Sequence, residues 1–154
     1  MVRDVLERWM ADRKGDLIGN YERKGLSASG TFADGLQVKT TEYQSTMTSL
    51  PYVGVMVTGR KPNENQTPAA LRAWVGWAGS TFLRDWVHDK GLDLNAYAVA
   101  WKIAREGIRV PNPPHNDGRL LDDTFTTERM EGLNRQLGKM YTTTITSEIK
   151  KIWQ

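Results

Sequence analysis

The residue types that most often carry out chemistry are sparse in this chain of 154 residues, which has two histidines, His88 and His115, and no cysteine. Without a thiol there is no disulfide, no thiolate zinc site and no cysteine nucleophile, a composition that fits a reducing compartment. His88 stands in "RDWVHDKG" near the end of a helical pattern, where its cation would favour the helix dipole; a surface or capping role explains it more simply than catalysis. His115 lies in "VPNPPHNDGR" beside Asn116 and Asp117, and a metal there would need ligands from elsewhere in the chain. Asp122 and Asp123 are adjacent, and neighbouring side chains on an extended segment point to opposite faces. They therefore do not form a two-carboxylate site and fit better as acids at the start of a helix. Glu64 has no acidic partner in its polar tract. No phosphate-cradling glycine loop, nucleophile elbow or paired-histidine zinc helix occurs. The expectation is a protein that is not an enzyme and has no catalytic residue, metal or cofactor.

The aromatic content is more informative. Of six tryptophans, Trp74, Trp77, Trp86 and Trp101 fall in two consecutive helical patterns, where large rings usually anchor a core. Trp77 is offset by two to three positions from Trp74 and Val75, which turns it outward and makes it a candidate contact residue for another protein. Base stacking would need an interleaved basic groove, and only Arg72 and Arg84 are near in sequence. The 21 basic and 18 acidic residues are interspersed, so the net charge of +3 marks no nucleic-acid tail. No apolar run reaches signal-peptide or membrane length, so synthesis and folding in a cytoplasm are expected, with no membrane partner.

The elements that position these residues follow from periodicity. Residues 2–21 repeat apolar positions every three or four residues, an amphipathic helix of about five turns. Gly15 and Gly19 weaken its second half by about 1 kcal/mol each relative to alanine. The tract "KGLSASGTFADG" reads as a loop, and "LQVKTTEYQSTMT" as one longer or two short strands. Residues 52–58, "YVGVMVT", are open to two readings: β-branched content favours a strand, while shortness and the preceding proline permit a helical turn. Residues 60–67 form a polar tether, ended by Thr67 as N-cap and Pro68 as first helical residue. Helical spacing then runs to Lys90, with Gly76, Gly79 and Ser80 placed to kink or split it. Asp93 is placed to cap a further helix that stops at Gly107, the three prolines of residues 110–119 make that stretch irregular, and Thr126 or Thr127 caps a long helix to Trp153. The length fits one domain over residues 1–154, of α+β class with helices dominant.

Three stretches carry a family resemblance: "NYERKGLSASGTFADGLQV", "PYVGVMVTGRKPN" and "LRDWVHDKGLDLNAYAVAWKIAREGI", followed by "LLDDTF" ahead of the last helix. In this order they resemble the tailed-bacteriophage family of head-tail joining and tail-component proteins, which form the neck or tail-completion ring between portal and tail. The resemblance implies a long N-terminal helix packed on a small antiparallel sheet, with residues 52–58 as a short helix. It also implies a virion structural protein at the portal vertex: a homo-oligomeric ring that contacts the portal and other neck or tail proteins, with genomic DNA passing through its lumen without sequence specificity. The glycines of "GWAGST" depart from the uninterrupted helix expected there. Ring closure needs two different patches per subunit, and the tracts 60–67 and 110–119 are expected to become ordered only against a neighbour. Tyr52, Arg60, Lys61, Pro62 and Trp77 are the candidate inter-subunit contacts. The alternatives are a tail terminator or minor tail component of the same fold, a DNA-binding accessory protein, and a small modifying enzyme.

Overall fold

The computed structural model describes residues 1–27 and 30–152; Ala28 and Ser29 of the small-residue loop and Trp153 of the last helical pattern lie outside the described residues. Among the described residues there are seven helices and one two-stranded antiparallel sheet, a mixed α+β fold that is mostly helical. Helix α1 (Val2–Arg23) buries Val5, Met10, Leu17, Asn20 and Tyr21, the face its periodicity predicts. It ends where Gly25 takes φ +66° and its amide donates to the Glu22 carbonyl, while Leu26 N–H reaches back to Tyr21 O.

A single helical turn, α2 (Thr31–Asp34), sits inside the tract read as loop, because Phe32 is buried and stacks on Tyr21 with ring centroids 3.9 Å apart. The strand tract resolves into two short strands, β1 (Gln37–Thr40) and β2 (Ser45–Thr48), paired so that Val38 faces Met47. Val38 and Met47 are half-buried and Gln37, Lys39, Thr46 and Thr48 are exposed, the alternation of a sheet with one face on α1. Residues 52–58 are helical, α3 (Tyr52–Thr58). Leu17, Tyr21, Phe32, Leu36, Val53 and Leu120 form the first hydrophobic core. At its side Asn20, buried, donates through Nδ2 to Thr124 Oγ1 at 2.9 Å, joining α1 to the segment that leads into the last helix.

The second core is a three-helix unit of α4 (Pro68–Ser80), α5 (Phe82–Asp89) and α6 (Ala96–Glu106), built on Leu71, Val75, Ala78, Leu83, Ala100 and Ala104. Thr67 caps α4 as expected, accepting from Ala70 N–H. The helical pattern running to Lys90 splits at Thr81, where φ −120° and ψ −114° leave the helical region. Gly79 is needed for close packing rather than for the break: a Cβ there would lie 2.6 Å from Tyr97 Cδ1, so α4 and α6 meet at that point only without a side chain. The cap of α6 is Asn95 and not Asp93, with its Oδ1 accepting from Tyr97 and Ala98 amides at 2.9 and 3.2 Å. Helix α7 (Thr127–Ile152) continues through its threonine run because the Thr142 and Thr143 hydroxyls donate back to the Gly138 and Lys139 carbonyls.

The two tracts expected to wait for a neighbour are tied down within the chain. Arg60 and Ile108 form a two-way backbone bridge, N–H to O at 2.8 and 2.7 Å, and Asn63 N–H and Gln66 Nε2 both donate to the Ala104 carbonyl at the end of α6. In the proline loop Asn116 Nδ2 donates to Met56 O at 2.7 Å, and the Lys24 ammonium meets Asp117 and Asp123 at 2.6 and 2.7 Å. Prolines and glycines predict irregular backbone correctly, but an irregular path can still be held by hydrogen bonds to the elements it crosses. No helix among the described residues is long and apolar enough to cross a membrane.

Two predictions follow from this geometry. Gly59 and Gly107 flank the Arg60–Ile108 bridge at φ +78° and +75°, and a Cβ on either would lie 2.3 or 2.2 Å from a backbone oxygen across it. Gly59→Ala and Gly107→Ala should each lower unfolding free energy by about 2 kcal/mol or more. Gly138→Ala, in open space on α7, should raise it by about 1 kcal/mol, all three read by urea denaturation. The second concerns acid. The Lys24 ammonium, and then the Arg119 amide, hold the Asp117 carboxyl below its ordinary value, while hydrogen bonds from Lys24 to Asp117 and Asp123 push the lysine above its own. The carboxylate end of this tie is therefore complete above pH about 4 and is lost as pH falls through the depressed value; the lysine end persists until pH exceeds its raised value. The melting-temperature gap between wild type and Lys24→Met should be present at pH 7 and close in acid. A gap that stays constant down to the acid limit would mean the tie contributes nothing.

Candidate functional site

The potentially reactive side chains do not converge. His88 is exposed, with Nδ1 3.4 Å from Asp89 Oδ1, and His115 is exposed in the proline loop. Asp123 is engaged with Lys24 and Arg119, whereas Asp122 and Glu64 point to solvent. Among the described residues no three His, Asp or Glu side chains come close enough together to hold a metal ion. Two buried groups have specific partners but no opening beside them: burial pushes the Tyr21 phenol up to about 12, with the neighbouring Tyr52 adding to it, and Asn20 is bonded to Thr124.

The expected contact residues gather unevenly. Arg60 is half-buried and acts inside the chain: its guanidinium lies 4.6 Å from the centre of the Trp74 ring and donates to Asn63 Oδ1 at 2.5 Å and to the Ile103 carbonyl at 3.4 Å. A cation over an indole face that also collects carbonyl oxygens at a helix C-terminus is a clamp, stabilised by ring quadrupole and helix dipole together. Lys61 and Pro62, the next two residues, are exposed, and Pro62 lies against Gly107. Arg60, Lys61 and Arg109 line one open groove beside the backbone bridge, a cationic surface with no carboxylate in its wall.

Trp77 is outward as its offset predicts, with 58 % of its surface exposed. It is also part of a row that single-residue offsets do not reveal. Trp74 meets Trp77 edge-on at 6.4 Å, and Trp77 meets Phe82 at 5.4 Å, so Arg60, Trp74, Trp77 and Phe82 run as one contiguous ridge from the bridge to the start of α5. Phe82 is 48 % exposed at the end of that row. Four-residue spacing on α4 does not extend to Phe82; the turn at Thr81 brings its ring back to Trp77. Tyr52 stands apart from the row at the head of α3, partly exposed beside Tyr21.

Further exposed apolar side chains form two other groups. Leu94 and Tyr97 stand over an open groove between α5 and the start of α6 that also takes in Val87 and Ala96. Tyr141, Ile145, Ile149 and Ile152 emerge from the distal half of α7, where every described residue from 141 onward is exposed. The periodicity of α7 predicts one apolar face, but it does not say where along the helix the rest of the chain stops covering that face. The contacts of α7 with another helix are made to α1.

If Arg60 is a clamp, Arg60→Ala should cost about 2 kcal/mol of stability and shift tryptophan emission to the red as Trp74 loses its cover. Lys61→Ala, which removes an exposed side chain with no bonded partner among the described residues, should stay within about 0.5 kcal/mol of wild type. Equal effects of the two in urea unfolding would rule out the clamp.

Compared with protein-family models, with characterised proteins and with solved structures, the chain matches none.

Proposed function

We propose that this chain is a ring-forming structural subunit of a tailed-phage head-to-tail connection, held in the virion at the portal vertex between portal and tail, with the genome passing through the lumen. The observation that carries the reading is the amount of surface the lone chain leaves in water. It exposes 10727 Å², whereas a compact monomer of its mass exposes about 7,900 Å². The difference is on the order of 2,900 Å². A ring subunit gives one side to each of two neighbours, so covering that difference corresponds to contacts of about 2,900 Å² in total, within the range of obligate assemblies. Enzymes and monomeric binding modules gain nothing from such a surplus.

Two further features support assembly. The uncovered side chains are large and apolar, among them Trp77, Phe82, Leu94, Tyr97, Ile145 and Ile149, the composition of an interface core rather than of a solvated face. The order of motifs along the chain also resembles the phage connector family. The net charge of +3 is compatible with a lumen that lets DNA slide past without sequence-specific contact.

The test is physical presence and stoichiometry. Purified virions should contain the protein at a fixed copy number, placed by imaging at the portal vertex, and the purified chain mixed with the portal complex should give a discrete multiple of its mass. Absence from virions together with a monomer under both conditions would end this reading. Salt-dependent DNA binding by the isolated subunit, without virion incorporation, would favour an accessory DNA-binding protein instead.

A further inference from the structure

The distal half of α7 and the α5–α6 groove are complementary surfaces on one chain. Leu137, Tyr141, Ile145 and Ile149 follow one another at four-residue steps and form a single ridge, with Tyr141 46 %, Ile145 57 % and Ile149 50 % exposed. A ridge of this kind packs into the groove between side-chain rows of another helical surface. It lacks the alternating three- and four-residue steps that two long helices need to wind around each other. The groove beside α5 and α6 encloses about 420 Å³, with Gly79 and Ala96 leaving room, Val87, Leu94 and Tyr97 as apolar walls, and Arg84 at its edge. Leu94 is 53 % exposed there and Tyr97 48 %. The charges around the two surfaces are opposed. Lys139, Lys150 and Lys151 outnumber Glu148 along the distal α7, and Asp85, Asp89 and Asp93 outnumber Arg84 and Lys90 around the groove.

We propose that the distal α7 of one copy seats in the α5–α6 groove of the next copy, with Ile145 and Ile149 against Leu94 and Tyr97. Ridge and groove are different patches, so the contact is head-to-tail and propagates until rotation closes it into a ring. It removes from water the side chains that make the lone chain's surface exceed that of a compact monomer. This interface rests on the reading of the chain as a ring subunit and names the surfaces that reading requires.

The chain has no cysteine, so introduced thiols report on this contact alone. Chains carrying Ile145→Cys and Leu94→Cys, mixed and oxidised, should form disulfide-linked heterodimers several-fold faster than either variant forms homodimers. A second pair tests the same geometry without covalent trapping: Ile145→Glu and Leu94→Glu, both on exposed positions and both checked for wild-type circular dichroism, should each sediment as a monomer alone and as a one-to-one heterodimer when mixed. Rapid homodimerisation of Ile145→Cys alone would mean that α7 pairs with α7, and would overturn the proposal. So would a wild-type chain that stays monomeric at every concentration reached both alone and with the portal complex, or mixed glutamate variants that do not associate. The interface and the phage reading fail separately. Heterodimers from a chain absent from virions keep the first and remove the second, and a virion ring whose positions 94 and 145 do not cross-link does the reverse.

Discussion

The fold depends on one short crossing of the chain with itself. At Arg60 and Ile108 two backbone hydrogen bonds of 2.8 and 2.7 Å close a loop that contains the whole three-helix unit α4–α6, so that this unit leaves and rejoins the α1-centred part of the molecule at one point. The approach is close enough that both flanking residues must be glycine, since a side chain on Gly59 or Gly107 would run into the opposite carbonyl. Arg60 then reinforces the crossing from its own side chain, with its cation over Trp74 and its donors on Asn63 and Ile103. The α4–α6 unit is held by this bridge, by the bonds to Ala104 beside it and by the Lys90 ammonium on the Gly25 carbonyl, and its apolar groups pack largely among themselves.

That arrangement leaves much of the apolar surface uncovered. Two small cores, each centred on six buried residues, satisfy one face of each helix and leave other apolar faces exposed. Trp77 and Phe82 on α4 and α5, Leu94 and Tyr97 at the start of α6, and the distal half of α7 are what remain. In a free monomer such surface is a liability, because it invites non-specific association. Once closed by neighbours it supplies the driving force of assembly. The tight internal anchoring of the tracts at 60–67 and 110–119 belongs to the same picture, since a subunit whose loops are already fixed loses less conformational entropy when it joins a ring.

Much of the fold was legible in the sequence where the signal was local. The period of α1, the N-cap at Thr67 with Pro68, the stops at Gly91 and Gly107, and the two short strands each follow from residue types a few positions apart. The misreadings share a cause. Asp93 and Asn95 are both good caps, and the choice between them is made by where α6 must begin to bury Ala100 and Ala104. Phe32 nucleates a helical turn in a loop-like stretch only because Tyr21 is there to stack on it. Arg60 reads as an exposed contact residue until Trp74 and the end of α6 are brought beside it. In each case a partner distant in sequence outweighs the local preference.

By itself, then, the sequence determined the α+β class, the amphipathic faces of the long helices and the outward turn of Trp77, because periodicity and capping depend on neighbours three or four residues away. The tertiary structure alone decided that the polar tract after Gly59 is a stitched crossing and not a free tether, and that Trp74, Trp77 and Phe82 make one row. It also decided that the apolar face of α7 is covered by its own chain near Met130 and Leu133 but lies open from Tyr141 onward. The physical reason is that burial belongs to a pair of surfaces, and a sequence states how apolar each surface is without stating which other surface, if any, covers it.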